Sequence, residues 1–214
     1  MPVATDHPRT LTRLAGVTRR TLFALAFAAT GVQAAPAPLP AHLEPIRAAP
    51  APSGSGDLCN RLRWACATSL GRTEAPESAL ALARSVNQAV NASVHEVPDR
   101  SQYGRDDLWD LPTARGGDCE DFALAKKKRL IEAGVPAGAL LIATVLDRHR
   151  NHHAVLVLRT AAQDVVLDNL TDRMLPWHRT GYSFLRMQEP NDPRRWNAIA
   201  AGGIFDAADR ATGG

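Results

Sequence analysis

The chain has 214 residues, three of them cysteine, with 45% hydrophobic and 22% charged residues. That length supports one domain with a real core, and that balance excludes wholesale disorder and a protein of many membrane spans. The formal charge of +3 carries little weight, because Arg9, Arg13, Arg19 and Arg20 fall in a segment expected to be removed, leaving a mature chain close to neutral.

Residues 1–34 have the three-part form of a secretory signal: Arg19 and Arg20, then the apolar run TLFALAFAATGVQA closing on small residues, with cleavage expected after Ala34. The run falls short of the about 20 residues a bilayer span needs. The expectation is a periplasmic or secreted protein with no stable membrane span after cleavage. Residues 35–57 are rich in Ala and Pro and then in Gly and Ser, and read as a flexible linker.

The folded domain is expected over residues 58–200. Its first helix runs from Pro76 to Asn91, with Leu80, Leu82, Ala83, Val86 and Val90 at helical spacing and Glu77 in the first turn. Asp99 to Thr113 is polar and turn-rich, a loop to be ordered by Tyr103 and Trp109. A second helix spans Cys119 to about Ala133, capped by Asp118 and stopped by Gly134 and Pro136. Within it lies the one basic run, Lys126 to Arg129, which reads as a solvated helix face; without a basic stripe interleaved with aromatics there is no case for a nucleic-acid partner. Three strand-like runs follow, Leu140 to Leu146, His153 to Leu158 and Val165 to Leu170, at hairpin separations. Helices followed by an antiparallel meander give an α+β fold class. Residues 201–214 read as a frayed, disordered tail.

The strongest local signal is Gly116-Gly117-Asp118-Cys119-Glu120-Asp121. Paired glycines let the backbone enter the helix closely, and a cysteine in a helix's first turn meets free N–H groups and a dipole that favour the thiolate. A lone cysteine is more often a small buried hydrophobe; its place after Gly-Gly in an exported chain favours a nucleophile. A nucleophile needs a base, and the base an orienting partner. His152 and His153 open one strand and Asp168 ends the next. A turn centred between Thr160 and Ala161 sets His153 opposite Asp168 at the roughly 5 Å of cross-strand neighbours. Alternation along the strand does not choose between the two histidines. Asp118, Glu120 and Asp121 would oppose a neighbouring thiolate. A cation would relieve that conflict, and Ca²⁺ suits carboxylates in a helix-start loop; a solvated acidic first turn is the plainer alternative.

Trp109, the segment RGGDCEDF from Arg115 to Phe122, Ala125-Lys126, Gly134-Val135-Pro136, His153-Ala154-Val155-Leu156 and Val166-Leu167-Asp168-Asn169-Leu170 together resemble the bacterial transglutaminase-like cysteine proteinases, in order from about Leu58 to Trp196. The resemblance implies a papain-like or transglutaminase-like fold, with N-terminal helices placing the catalytic cysteine at a helix start against an antiparallel sheet. It implies a Cys-His-Asp triad of Cys119, His153 and Asp168, and so prefers His153 to His152. Its best understood members, the LapG-like periplasmic proteases, clip large surface adhesins and release biofilm cells. They hold Ca²⁺ through acidic residues flanking the cysteine, here Asp118 and Glu120, with Asp121 a weaker candidate. Cys59 and Cys66 then leave Cys119 as the unpaired thiol. Along one continuous helix their Cα atoms would lie about 10 Å apart, too far for a disulfide, so pairing requires a bend between Asn60 and Ala65.

The expected activity is acyl transfer from a protein or peptide substrate, with water as acceptor in a cysteine protease and an amine in a transglutaminase. A cell-wall peptide amidase, and a catalytically silent calcium-binding or partner-binding module, are the competing readings.

Overall fold

The computed structural model describes residues 40–206; the expected signal sequence, the start of the expected linker and the end of the expected tail lie outside them. Seven antiparallel strands form one sheet in the order β1-β7-β6-β2-β3-β4-β5. They are β1 Arg47–Ala49, β2 Leu140–Leu146, β3 His152–Arg159, β4 Asp164–Leu167, β5 Leu175–Pro176, β6 Ser183–Gln188 and β7 Trp196–Ala201. The helices are α1 Leu58–Arg61, α2 Ala79–Ser93, α3 Asp99–Tyr103 and α4 Cys119–Glu132. The class is α+β, as expected. Among the described residues no helix is long and apolar enough to cross a membrane.

The central strands β2 and β3 are apolar on both faces because both faces are covered. Leu140, Ile142, Leu156, Leu158 and Trp196 pack with Leu124 and Leu130 of α4 and Ala79 and Ala83 of α2. Leu141, Val145, Val155, Val157, Phe184 and Ile199 face the other way, against Leu43 and Trp177. Burial at about 25 cal/mol per Å² of apolar surface makes this double sandwich the main source of stability.

Leu43 is buried, and residues 40–49 are strapped to the sheet rather than free as a linker. Leu43 N–H donates to Asp164 Oδ2 at 2.8 Å, Arg159 Nη2 to the Leu43 carbonyl at 3.1 Å, and Trp177 Nε1 to the Pro40 carbonyl at 3.1 Å. β1 then pairs with β7. Pro and Ala composition misled here because the segment is held by backbone groups and one leucine, which composition does not register. Ala201 pairs with Phe184 and Phe205 reaches the cleft described below, so the chain expected as tail is packed at least to that point.

Leu62 and a 3₁₀ turn, Arg63–Cys66, break the first helix after Arg61. The break brings the Cys59 and Cys66 Cα atoms to 5.4 Å, and the two are disulfide-bonded. At the far end of α4, Gly134 takes φ +91°. Its N–H reaches the Ile131 carbonyl while that of Val135 reaches Leu130, the double bond of a glycine stop.

The basic run is solvated only in its second half, Lys128 and Arg129. Lys126 and Lys127 are 1% and 0% exposed. Lys127 Nζ donates to Gln188 Oε1 at 2.8 Å, and Lys126 Nζ sits 5.8 Å from the Phe122 ring centroid. α4 is central, between α2 and the sheet, so two consecutive positions point inward whatever their charge. Burial pushes both amines down to about 7.

Candidate active site

Cys119 is the first residue of α4, and the Gly-Gly step explains how it gets there. Gly116 has φ +125°, and a Cβ on it would run into the His95 carbonyl; a Cβ on Gly117 would run into the Asp121 side chain. Gly117 is pinned through its N–H to the His95 carbonyl (3.1 Å), and its carbonyl accepts from Val97 N–H (2.9 Å). Asp118 occupies the cap position, but its carboxylate makes no hydrogen bond to the helix. Instead Oδ2 accepts the Asp99 N–H at 3.1 Å, so the expected cap ties two loops together.

Cys119 Sγ accepts the Ala154 N–H at 3.3 Å, which places the thiol beside β3, one residue from His153. His153 Nε2 lies 2.9 Å from Asp168 Oδ1, both side chains being buried. The pairing differs in detail from the register expected. β3 and β4 pair as Leu156↔Leu167 and Arg159↔Asp164, two residues away from a turn that would face His153 with Asp168. Asp168 follows the last residue of β4 and reaches His153 as a diagonal neighbour, still within side-chain range. His152 is exposed at the cleft rim.

Asp168 is well supplied with donors. Tyr182 donates its hydroxyl to Oδ2 at 2.5 Å, and Leu170 N–H donates to Oδ1 at 3.1 Å. These, with His153, hold the carboxyl below its usual range despite burial. An ionised Asp168 only accepts, so His153 Nε2 carries the hydrogen and Nδ1 is the free ring nitrogen. Tyr182 also meets the His153 ring edge to face, centroids 5.9 Å apart. Nothing in the local sequence pattern marked Tyr182.

The acidic side of the thiol is equally defined. Cys119 Sγ donates to Glu120 Oε2 at 3.2 Å; burial first, then the Glu120 charge and hydrogen bond, push the thiol upward. Glu120, Asp118 and Asp99 bring one carboxylate oxygen each within 4.8 Å of one another. Asp99 Oδ1 and Asp118 Oδ1 are buried without a partner, which is how oxygen ligands for a hard cation are left. Burial and the nearby Asp118 push Glu120 up to about 9. Asp121 lies outside the three that meet within 4.8 Å: its Oδ1 accepts the Asp110 N–H at 3.0 Å, its Oδ2 is likewise buried without a partner, and burial pushes it up to about 8. Asp99, twenty residues upstream of Cys119 and inside the stretch expected to be loop, joins Asp118 and Glu120 in that group.

A cleft of about 710 Å³ opens at Cys119, His153 and Ala154, walled by Trp109 and Asp107 on one side and by β6, β7 and β1 on the other. Trp109 is anchored edge-on against Trp196, centroids 5.7 Å apart, whereas Tyr103 is 37% exposed.

A family model described as bacterial transglutaminase-like cysteine proteinase, BTLCP, matches residues 46–203. Among solved structures, the calcium-bound LapG of Legionella pneumophila is 25% identical, covers 62% of this chain and 80% of its own, and superposes with a TM-score of 0.48. The EGTA-treated form is 24% identical, with 62% and 78% covered and a TM-score of 0.48. No curated protein matches the chain.

Proposed function

Because the chain belongs to the bacterial transglutaminase-like cysteine proteinases it is a cysteine protease, and we propose that it cuts protein substrates in the periplasm or outside the cell through a triad of Cys119, His153 and Asp168. The observation that carries this reading is the chain of contacts from Cys119 Sγ to Ala154 N–H and, one residue away, from His153 to Asp168.

In the reaction, the Cys119 thiolate attacks the scissile carbonyl and an S–C bond forms. His153, positively charged after taking the thiol proton, returns that proton to the leaving amine as the C–N bond breaks. Water then attacks the thioester, His153 removes its proton, and the carboxylic product leaves with Cys119 restored. Asp168 holds the imidazole in the tautomer with Nε2–H and stabilises its charged form.

The group Asp99, Asp118 and Glu120 fits a calcium ion: its donors are hard oxygens, and two of them lack any other partner. A bound Ca²⁺ there supplies positive charge beside the thiol, offsetting the carboxylates that oppose thiolate formation. Glu120, engaged with the cation, would no longer accept from Cys119. The Cys59–Cys66 disulfide suits an oxidising compartment, as does the signal-like residues 1–34; N-terminal sequencing of exported protein should begin at Ala35.

The test is iodoacetamide labelling of Cys119 in the mature protein. Labelling should be faster with calcium than with chelator, and should slow in His153→Ala and Asp168→Asn. A rate indifferent to all three changes would overturn the triad. Surface-adhesin fragments should be cut where purified muropeptides are not; the reverse result would make the enzyme a cell-wall amidase.

A further inference from the structure

The face of the sheet that α4 covers over Ile142 and Leu156 continues, uncovered, beyond the start of that helix. The register gives its row of residues: Ala154 on β3 pairs with Thr144 on β2, Thr144 with Arg186 on β6, Arg186 with Ala198 on β7, and Ala198 with Arg47 on β1. All five except Thr144 and Ala154 carry either a guanidinium or the single methyl between two guanidiniums. Arg47 and Arg186 thus flank Ala198 from its two neighbouring strands, and all three line the cleft that holds Cys119.

Their charge is unspent. Among the described residues, neither guanidinium makes an ion pair or a side-chain hydrogen bond, whereas the other charged residues lining the cleft are engaged. Asp106 pairs with Arg100 at 3.1 Å, and Asp107 accepts from Ser53 Oγ and Trp109 Nε1. Two unpaired arginines held on adjacent strand positions across an alanine, with a forked donor set each, suit one planar carboxylate.

We propose that Arg47 and Arg186 form a carboxylate-binding subsite that makes the enzyme select substrates with an acidic group near the scissile bond. The inference rests on the reading of Cys119 as nucleophile, since distance is counted from it. Strands lie about 4.8 Å apart and an extended peptide advances about 3.3 Å per residue. Arg186 is two strands from Ala154, whose N–H meets the thiol, so the acidic group belongs about two to four residues from the cut. An Asp or Glu side chain and a peptide's C-terminal carboxylate offer the same chemistry.

The experiment digests a proteome-derived peptide library with the mature protein and reads the cuts by mass spectrometry, using free and C-terminally amidated libraries, with Cys119→Ala as the blank. Expected is about fivefold enrichment of an acidic group at one position in that range, as a part-exposed ion pair provides, lost in Arg47→Gln/Arg186→Gln. Enrichment of Asp and Glu in both libraries identifies a side chain; cuts confined to chain ends and abolished by amidation identify the terminal carboxylate. Cuts without acidic preference, or with a preference the double variant keeps, overturn the subsite and leave the peptidase standing. Should the library stay uncut, protection of Cys119 from iodoacetamide by poly-Asp over poly-Lys peptides, lost in the double variant, upholds the subsite without the peptidase, and equal protection overturns it.

Discussion

Tyr182 does its work through Asp168. Its hydroxyl is one of the three donors that keep that carboxyl ionised, so Tyr182→Phe should raise the Asp168 pKa. The sign follows: a carboxylate with fewer donors protonates at higher pH, and the acidic limb of kcat/KM moves upward. A hydrogen bond to a charged group is worth about 1.5 kcal/mol or more, roughly tenfold in kcat/KM at neutral pH. A loss of activity with an unmoved pH profile would make Tyr182 a packing residue only. The carboxylates beside Cys119 divide in the same residue-by-residue way. Asp99→Asn should remove most of the rise in Tm that calcium produces, while Asp121→Asn should keep it, because only Asp99 shares the oxygen cluster with Asp118 and Glu120; calorimetry with calcium and with EGTA decides. Asp118, Cys119 and Glu120 were legible in the sequence because they are consecutive at a helix start. Asp99, the first residue of α3, was not, because its place beside them is fixed by the Leu108 N–H that donates to its carboxylate and by its own N–H donating to Asp118, and not by spacing.

At the level of elements, α4 and β2 matched the sequence reading nearly residue for residue, since periodicity and a Gly-Pro stop survive any tertiary context. β6 and β7 did not announce themselves: SFLRMQ and WNAIAA alternate imperfectly, and a bulge between Phe184 and Arg186 interrupts their register. The His153–Asp168 contact was readable even with the wrong turn centre, because a two-residue slip keeps each side chain on its original face. α4 was misread in one respect, its buried lysines, and these make a prediction. Burial pushes the Lys127 amine down to about 7 against 10.5. Between those values the unfolded chain binds the extra proton, so this residue's contribution to stability is lost as pH falls toward 7 and below. Lys127→Met should therefore raise stability by about 3 kcal/mol at pH 6 and by little at pH 10; Gln188 Oε1 keeps the Ile142 N–H as donor. Glu120 and Asp121 tilt the other way, since groups raised to about 9 and about 8 lose their favourable protonated form as pH rises. Only the difference between wild type and variant isolates the lysine. Equal differences at both pH values would show that Lys127 is charged in the fold.

At the scale of the whole sheet, the first described strand pairs with the last: β1 forms one edge of the sheet beside β7. Beginning the chain at Pro50 would remove Leu43, the donor to Asp164, the acceptor for Arg159 and all of β1. Such a truncation should lower stability by several kcal/mol, as a large buried side chain, its bonds to Asp164 and Arg159 and the pairing of β1 go together, about 3 kcal/mol from Leu43 alone. A chain starting at Ala35 should lose nothing, and urea unfolding of the two compares them. The Cys59–Cys66 loop acts on a smaller scale: Cys59→Ser/Cys66→Ser should cost about 2 kcal/mol through unfolded-state entropy, with Cys119 still labelled by iodoacetamide.

The pairing of β1 with β7, Arg47 with Ala198, also fixes when the enzyme can exist. Contacts this distant along the chain form late, after the long loop between them has closed. These same two strands contribute to one wall of the cleft, so a nascent chain presents Cys119 without part of the surface that would hold a substrate against it. Proteolytic competence is thereby tied to completion of synthesis, and the nucleophile lacks one wall of its cleft until the last strand arrives.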